Sequence, residues 1–423
     1  MTYKEFELPY GNSFVKMSVP EKNLSYVLAT KEIAGLPDEA GAITAALRSP
    51  TGCPPLLSTL HPTDKVAVIV TDNTRACPED RLLPPVLSEL ERKIPRRNIT
   101  IIIALGLHPP LTREQMIKKL GKNIVDNYNV INHDVNDIVN LGVTPRGTPI
   151  DINRRVVESD FRLSTGFIEP HLFAGFSGGR KSIAPGVFSV RSAYRNHGYI
   201  NIENPNARPG ITRGNPIHED MLELAKTAKL NFIVNVLLNK KKEITHVVAG
   251  DSVLAHEKGC DIARGLAGVK VAHKVDITIT TNSGAPLDHD FYQAVKGIDT
   301  ASRITRDGGI IICACLCNDG VGAKEYYDVH AACTTPKEVL QKIKREQPIG
   351  VQWENQILAR IQLRHDIYLL SELEDKLVQG MMTMPIRSIE EGINKALAIL
   401  GDDAEIAVIP EGPMVIPIMD DAM

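Results

Sequence analysis

Apolar positions along the chain fall into short continuous runs separated by polar, turn-rich segments. Residues 66–70 (VAVIV) and 99–105 (ITIIIAL) are nearly unbroken aliphatic runs, the pattern of strands buried on both faces of a sheet. Each is followed by a polar loop and then a helix-start signal. Pro78 opens a predicted helix reaching about Arg92, and Thr112 with Gln115 makes a capping-box pattern for the next helix. Residues 232–239 read as a further strand, and 253–268 as a helix. A new unit starts at 275–284 (VDITITTNSG), with strands expected at 309–315, 366–370 and 405–409 and helices at 336–346, 352–363 and 387–400. This alternation predicts an α/β fold in two domains, 1–268 and 269–423, with the hinge near 265–275. Residues 3–34 suggest short strands attached to the first domain. The last residues, GPMVIPIMDDAM, are expected to pack back on one of the domains, the N-terminal one included.

Length and charge narrow the class. At 423 residues each domain can bury a sizeable core. A net charge of −3 argues against nucleic acid or an anionic membrane as partner. No apolar run is long enough to span a bilayer, and MTYKEFELPYG lacks the layout of a signal peptide, so a cytoplasmic location is expected. Seven cysteines, an odd number, argue against a disulfide framework. Cys313, Cys315 and Cys317 alternate in a strand-like run and read as small buried apolar residues rather than metal ligands.

The chemistry concentrates in residues 166–198, GFIEPHLFAGFSGGRKSIAPGVFSVRSAYRNHG. Gly175, Gly178 and Gly179 allow a tight turn and close backbone approach to a ligand, with Lys181 presented directly after it. A phosphate-binding loop is rejected, because Arg180 separates the glycine from the lysine. Ser189 is a candidate cap for a short helix with His197 near its end and Gly198 as its stop. Two loops at predicted strand ends carry further candidates. Thr71-Asp72-Asn73-Thr74-Arg75 follows the first buried run, and Gly106-Leu107-His108 follows the second. Open α/β sheets bind ligands at this edge. In the second half, Tyr292, Gln293 and Lys296 fall within one helical turn, and an amide beside an ammonium suits a carboxylate. Read as residue types alone, the glycine loop fits equally well as a structural turn, and Asp72 to Arg75, His108, Gln293 and Lys296 fit better as ordinary turns and solvated faces. His133 reads as a surface or turn histidine, His218-Glu219-Asp220 as an acidic helix start, and Trp353 as core or as a lid over the site.

Four of these stretches together resemble the nickel-pincer lactate racemase family: H-x9-K-x15-H within HLFAGFSGGRKSIAPGV and its sequel, D-x-x-R at 72–75, G-x-H-P at 106–109, and Y-Q-x-x-K at 292–296. The resemblance implies that Lys181 carries a covalently attached nickel pyridinium mononucleotide (pyridinium-3,5-bisthiocarboxylic acid type) and that His197 ligates its nickel. It implies that Asp72, Asn73, Thr74 and Arg75 bind the cofactor, and that His108 and His171 are the acid/base pair. Tyr292, Gln293 and Lys296 would bind substrate. The active site would lie in the cleft between the cofactor-binding first domain and the substrate-binding second. The expected activity is an isomerase that racemises a 2-hydroxy acid, most simply lactate, by proton-coupled hydride transfer through a 2-keto acid. Racemases or epimerases of malate, longer aliphatic, aromatic or sugar acids share the resemblance. A non-catalytic nickel or nucleotide-cofactor binding protein is the reading from another class, and the histidine pair argues against it. A nicotinamide dehydrogenase is disfavoured, as no G-x-G-x-x-G follows an early strand. Expected partners are the small-molecule substrate and the host proteins that make the cofactor.

Overall fold

The computed structural model describes residues 2–420, which form two compact units. One comprises residues 32–265, and the other joins the described residues before 32 to those from 266 onward.

The first unit holds a six-stranded sheet in the order Ile244–Gly250, Phe232–Leu238, Phe161–Phe167, Val66–Thr71, Ile99–Ala104, Asn129–Asn132. Only the Phe232–Leu238 and Ile244–Gly250 pair is antiparallel. Strand Val66–Thr71 is buried over its first five residues, which accounts for its unbroken apolar run, and Phe161–Phe167 is buried throughout although it carries Arg162, Ser164 and Thr165. Helix Glu79–Glu91 lays Leu82, Leu83, Val86, Leu87 and Leu90 into the same core as Val66, Val68 and Val70. The chain first builds outward from Val66–Thr71, then returns to add Phe161–Phe167 on its other side. The direction of strand order therefore reverses between these two strands, the place where doubly wound sheets open a ligand crevice at their carboxyl ends.

The second unit is an all-parallel sheet in the order Met384–Ile386, Asp366–Leu370, Thr305–Ala314, Val275–Thr281, Ile406–Ile409, Leu24–Val27. Helix Phe291–Ile304 follows strand Val275–Thr281, with Asp290 capping its N-terminus through the Gln293 N–H at 2.7 Å.

The expected assignment of the first 31 residues to the domain 1–268 is corrected here. Strand Leu24–Val27 pairs with Ile406–Ile409, and the hairpin of Tyr3–Tyr10 and Ser13–Pro20 buries Leu8, Met17 and Val19 against Ile277, Ile310 and Val408. Strand Ile416–Met419 likewise pairs with Gly268–Val271 within the second unit rather than returning to the first. Residues 421–423 of the C-terminal stretch lie outside the described residues. Cys313, Cys315 and Cys317 are buried. Among the described residues, no helix is long and apolar enough to cross a membrane.

Candidate active site

In the first unit, the loops after three neighbouring strands carry the site. Asp72 follows Val66–Thr71 directly and is buried, while Asn73 and Thr74 are exposed and Arg75 is half-buried. The turn is held from below by Glu79, itself fully buried. One carboxylate oxygen accepts from the Thr71 N–H (2.9 Å) and hydroxyl (2.8 Å), and the other from the Thr165 hydroxyl (2.7 Å), so Glu79 ties together the ends of two adjacent strands. The Thr74 hydroxyl donates to Asp72 at 2.8 Å.

His108, after the next strand, lies with Nδ1 2.6 Å from Asp72 Oδ2. Burial pushes the Asp72 carboxyl up, but the hydrogen bond and charge of His108, with Arg75 and Thr74 behind them, outweigh it and hold the group below its ordinary range. An ionised carboxylate only accepts, so His108 donates from Nδ1 and presents its Nε2 lone pair outward. The imidazole is 44% exposed, open enough to meet a substrate.

The glycine-rich stretch follows Phe161–Phe167. His171 pairs with Gly175 in a minimal hairpin, and a 3-10 turn spans Gly179–Ser182. Gly175, Gly178 and Gly179 all have positive φ, and a Cβ on Gly179 would lie 2.5 Å from the His256 ring. Arg180, which breaks the phosphate-loop pattern, is a buried anchor and not a surface charge. Its guanidinium donates to the carbonyls of Ala174 (2.6 Å) and Phe176 (2.9 Å) and lies 3.1 Å from His256 Nε2. Burial lowers its pKa to about 10, still far above neutral. The loop is tied to its neighbour as well, since the Gly106 N–H donates to the Gly186 carbonyl at 2.9 Å.

With the backbone held, Lys181 Nζ lies 3.2 Å from His171 Nε2, while His171 Nδ1 accepts from the Ala174 N–H at 3.3 Å. His197 sits at the C-cap of helix Val190–Asn196, whose N-terminus Ser189 caps. Gly198 stands directly after the C-cap, where a stop was expected; its φ is −66°, and it is also the N-cap of the next short helix. Phe173 lies between the polar groups. Its ring packs edge-on against His171 (4.8 Å) and His197 (4.9 Å), and Lys181 Nζ stands 5.9 Å from its centroid. Phe173 was missed from the sequence, where its only signal was an aromatic residue two places from His171. Burial, with the Lys181 charge adding to it, lowers the His197 pKa to about 3, which keeps the ring in the neutral form that metals bind. Among the described residues, no three His, Cys, Asp or Glu side chains are placed to hold a metal by themselves.

His133, expected at the surface, is instead buried, accepting from Asn153 Nδ2 (3.1 Å) and donating to the Phe188 carbonyl (3.0 Å). His218-Glu219-Asp220 does begin a helix, Pro216–Thr227. Asp220 is buried and accepts from Thr144 (2.5 Å), Thr148 (2.6 Å) and Asn196 (2.7 Å), bracing the residue next to His197.

In the second unit, Tyr292, Gln293 and Lys296 share the first turns of helix Phe291–Ile304, each half-buried. Lys296 Nζ donates to Gln293 Oε1 at 2.5 Å. The Tyr292 hydroxyl accepts from Trp353 Nε1 at 2.9 Å, which places the lone tryptophan against this helix.

A doubly wound sheet carrying two histidines, a lysine and a buried carboxylate at its switch point defines an α/β enzyme suited to moving protons. The chain matches the lactate racemase N-terminal domain model over residues 10–210 and the C-terminal domain model over 270–417. It is 38% identical to the lactate racemase of Thermoanaerobacterium thermosaccharolyticum, over 97% of this chain and 98% of that one. It is 36% identical to the lactate racemase of Lactiplantibacillus plantarum, over 96% and 98%. The solved structure of the lactate racemase apoprotein from T. thermosaccharolyticum superposes with a TM-score of 0.95 at 36% identity, covering 98% of this chain and all of that one. The chain belongs to the lactate racemase family, and it is an isomerase of the racemase type.

Proposed function

We propose that the protein interconverts the D and L forms of a 2-hydroxy acid, with lactate as the expected substrate, in the cytoplasm of a host that makes its cofactor. The Cα–H of such an acid is too weakly acidic for simple deprotonation near neutral pH. Removing it as hydride while a base takes the hydroxyl proton gives a planar 2-keto acid, and returning hydride to the other face inverts the centre. A nickel pyridinium mononucleotide joined to Lys181 and ligated by His197 would supply the hydride-accepting centre when bound. The donor set fits such a group: a single neutral imidazole, an amine at the end of a rigid turn, and an apolar ring between them.

The chain's own residues do the rest. His108 takes the hydroxyl proton at Nε2, with Asp72 holding its tautomer and stabilising the imidazolium that forms. His171 serves as the acid/base for the opposite enantiomer. Asn73, Thr74 and Arg75 bind the cofactor, Arg75 offering a planar donor fork to an anion. Gln293 and Lys296 hold the substrate carboxylate, with Tyr292 beside them. The observation that carries this reading is the 2.6 Å contact from His108 Nδ1 to Asp72, which turns an exposed histidine into an oriented base.

His108→Ala and His171→Ala test it. Each is expected to lower racemisation by at least about 10²-fold, the usual contribution of a positioned acid/base. The mass and nickel content of protein from a cofactor-making host should stay as in wild type. A near-wild-type rate in either variant removes that residue from the mechanism.

A further inference from the structure

The bond between Asp72 and His108 joins two loops that leave adjacent strands, so it depends on how those loops are held. Sheet hydrogen bonds fix Val66–Thr71 and Ile99–Ala104 only as far as their ends. Beyond them the main chain must find other partners for its N–H and C=O groups. At the entry of the first loop, Glu79 takes the Thr71 N–H and hydroxyl. Inside the loop, the Arg75 N–H reaches the Asp72 carbonyl only at 3.4 Å, a weak closure.

The exit of that loop is held by Lys119. Its Nζ donates to the Arg75 carbonyl at 2.8 Å and to the Cys77 carbonyl at 2.9 Å. Bonds from a charged donor are stronger than those from a neutral one, and this side chain is half-buried. Lys119 belongs to helix Arg113–Leu120, the element that follows the His108 loop. The helix is itself fixed. Thr112 and Gln115 close a capping box at its start, and Leu120 is buried in the sheet core at its end. Between His108 and the helix, Asn132 accepts from the Leu111 N–H at 3.1 Å and donates to the Leu111 carbonyl at 3.0 Å. One side chain therefore ties the segment that carries His108 to the loop that carries its carboxylate partner.

We propose that Lys119 is a positioning residue for the Asp72–His108 base. It acts on the main chain of the loop and not on the reacting atoms. The inference rests on the reading of His108 as the base for one enantiomer. Without the ammonium, the Arg75 and Cys77 carbonyls lose their donor, the loop relaxes, and Asp72 no longer holds the His108 tautomer in place. His171 stands on a different loop, anchored by Arg180. The loss should therefore fall on one enantiomer and spare the other.

The test is single-turnover formation of the 2-keto acid from D-lactate and from L-lactate, by enzyme made in a cofactor-producing host. Rates are divided by the fraction of chains that carry the cofactor mass. His108→Ala first identifies the enantiomer that depends on His108. Lys119→Met keeps the stem and removes the donors. It should slow that enantiomer by about 10- to 100-fold, the usual consequence of a misplacement near 1 Å, and leave the other near the wild-type rate. A purely structural role would slow both alike. Equal slowing of both enantiomers, or of neither, overturns the inference. Amide hydrogen exchange over residues 72–77 of the unloaded protein needs no cofactor. It should quicken in Lys119→Met, and unchanged exchange also overturns the inference. If Lys119→Met does not fold, both measurements pass to Lys119→Gln, which keeps amide donors and loses the charge, with the same outcomes. His108→Ala separates the inference from the reading beneath it. If that variant slows both enantiomers equally, or neither, the reading of His108 fails and the inference with it. If it slows one selectively while Lys119→Met does not, only the inference fails.

Discussion

Single residues in this protein hold protonation states that their surroundings set. Burial holds the pKa of His197 and His256 at about 3 and that of His218 at about 2, with neighbouring cations adding to the effect in all three. Each ring is neutral when folded, whereas the unfolded chain protonates it near pH 6.5. Below pH 6.5 the unfolded state binds more protons, so stability falls with pH and keeps falling toward pH 3. At pH 5 each ring costs about 2 kcal/mol, and the three together cost about 6 kcal/mol, a large share of a typical folding free energy. The urea midpoint should therefore drop steeply between pH 7 and pH 5, and an unchanged midpoint would show that these rings are not held neutral. None of this was legible in the sequence. His218 looked like part of a helix start and His133 like a surface turn, because the neighbours that bury them lie far along the chain. Asp72 and His108 were both visible at strand ends, but their 36-residue separation hid the bond between them.

At the scale of elements, the strands were the most readable part. Residues 66–70 are apolar at every position, and 99–105 at every position but Thr100, because both faces of the sheet are covered, and that pattern has few alternatives. The glycine turn was readable as a turn but not as a construction. In sequence Arg180 reads only as the residue that spoils a phosphate loop, yet it is the buried post to which the carbonyls of Ala174 and Phe176 are tied. Gly179 has φ +53° and faces His256 across a gap with no room for a methyl group. Gly179→Ala should cost about 1–3 kcal/mol of stability, as expected for a residue forced into a sparsely populated conformation. It should also reduce the modification of Lys181 two residues on. A variant with wild-type melting temperature and full modification would show that the turn geometry does not matter to the lysine.

At the scale of the whole molecule, two α/β units were foreseen and two are present, but the chain is distributed between them differently. Strand Leu24–Val27 pairs with Ile406–Ile409 at the far end of the chain, a register that local patterning does not reveal. Both units place their candidate residues after their first central strand, Asp72 beyond Val66–Thr71 and Tyr292 to Lys296 beyond Val275–Thr281. In the proposed function, the cofactor chemistry depends on Lys181. The most direct test is the intact mass and nickel content of protein made in a cofactor-producing host, followed by chiral chromatography of lactate incubated with it. The account predicts a mass increase mapping to Lys181, stoichiometric nickel, and conversion of either enantiomer to the mixture. An unmodified Lys181 without nickel, from a host shown to load a known lactate racemase, would contradict it.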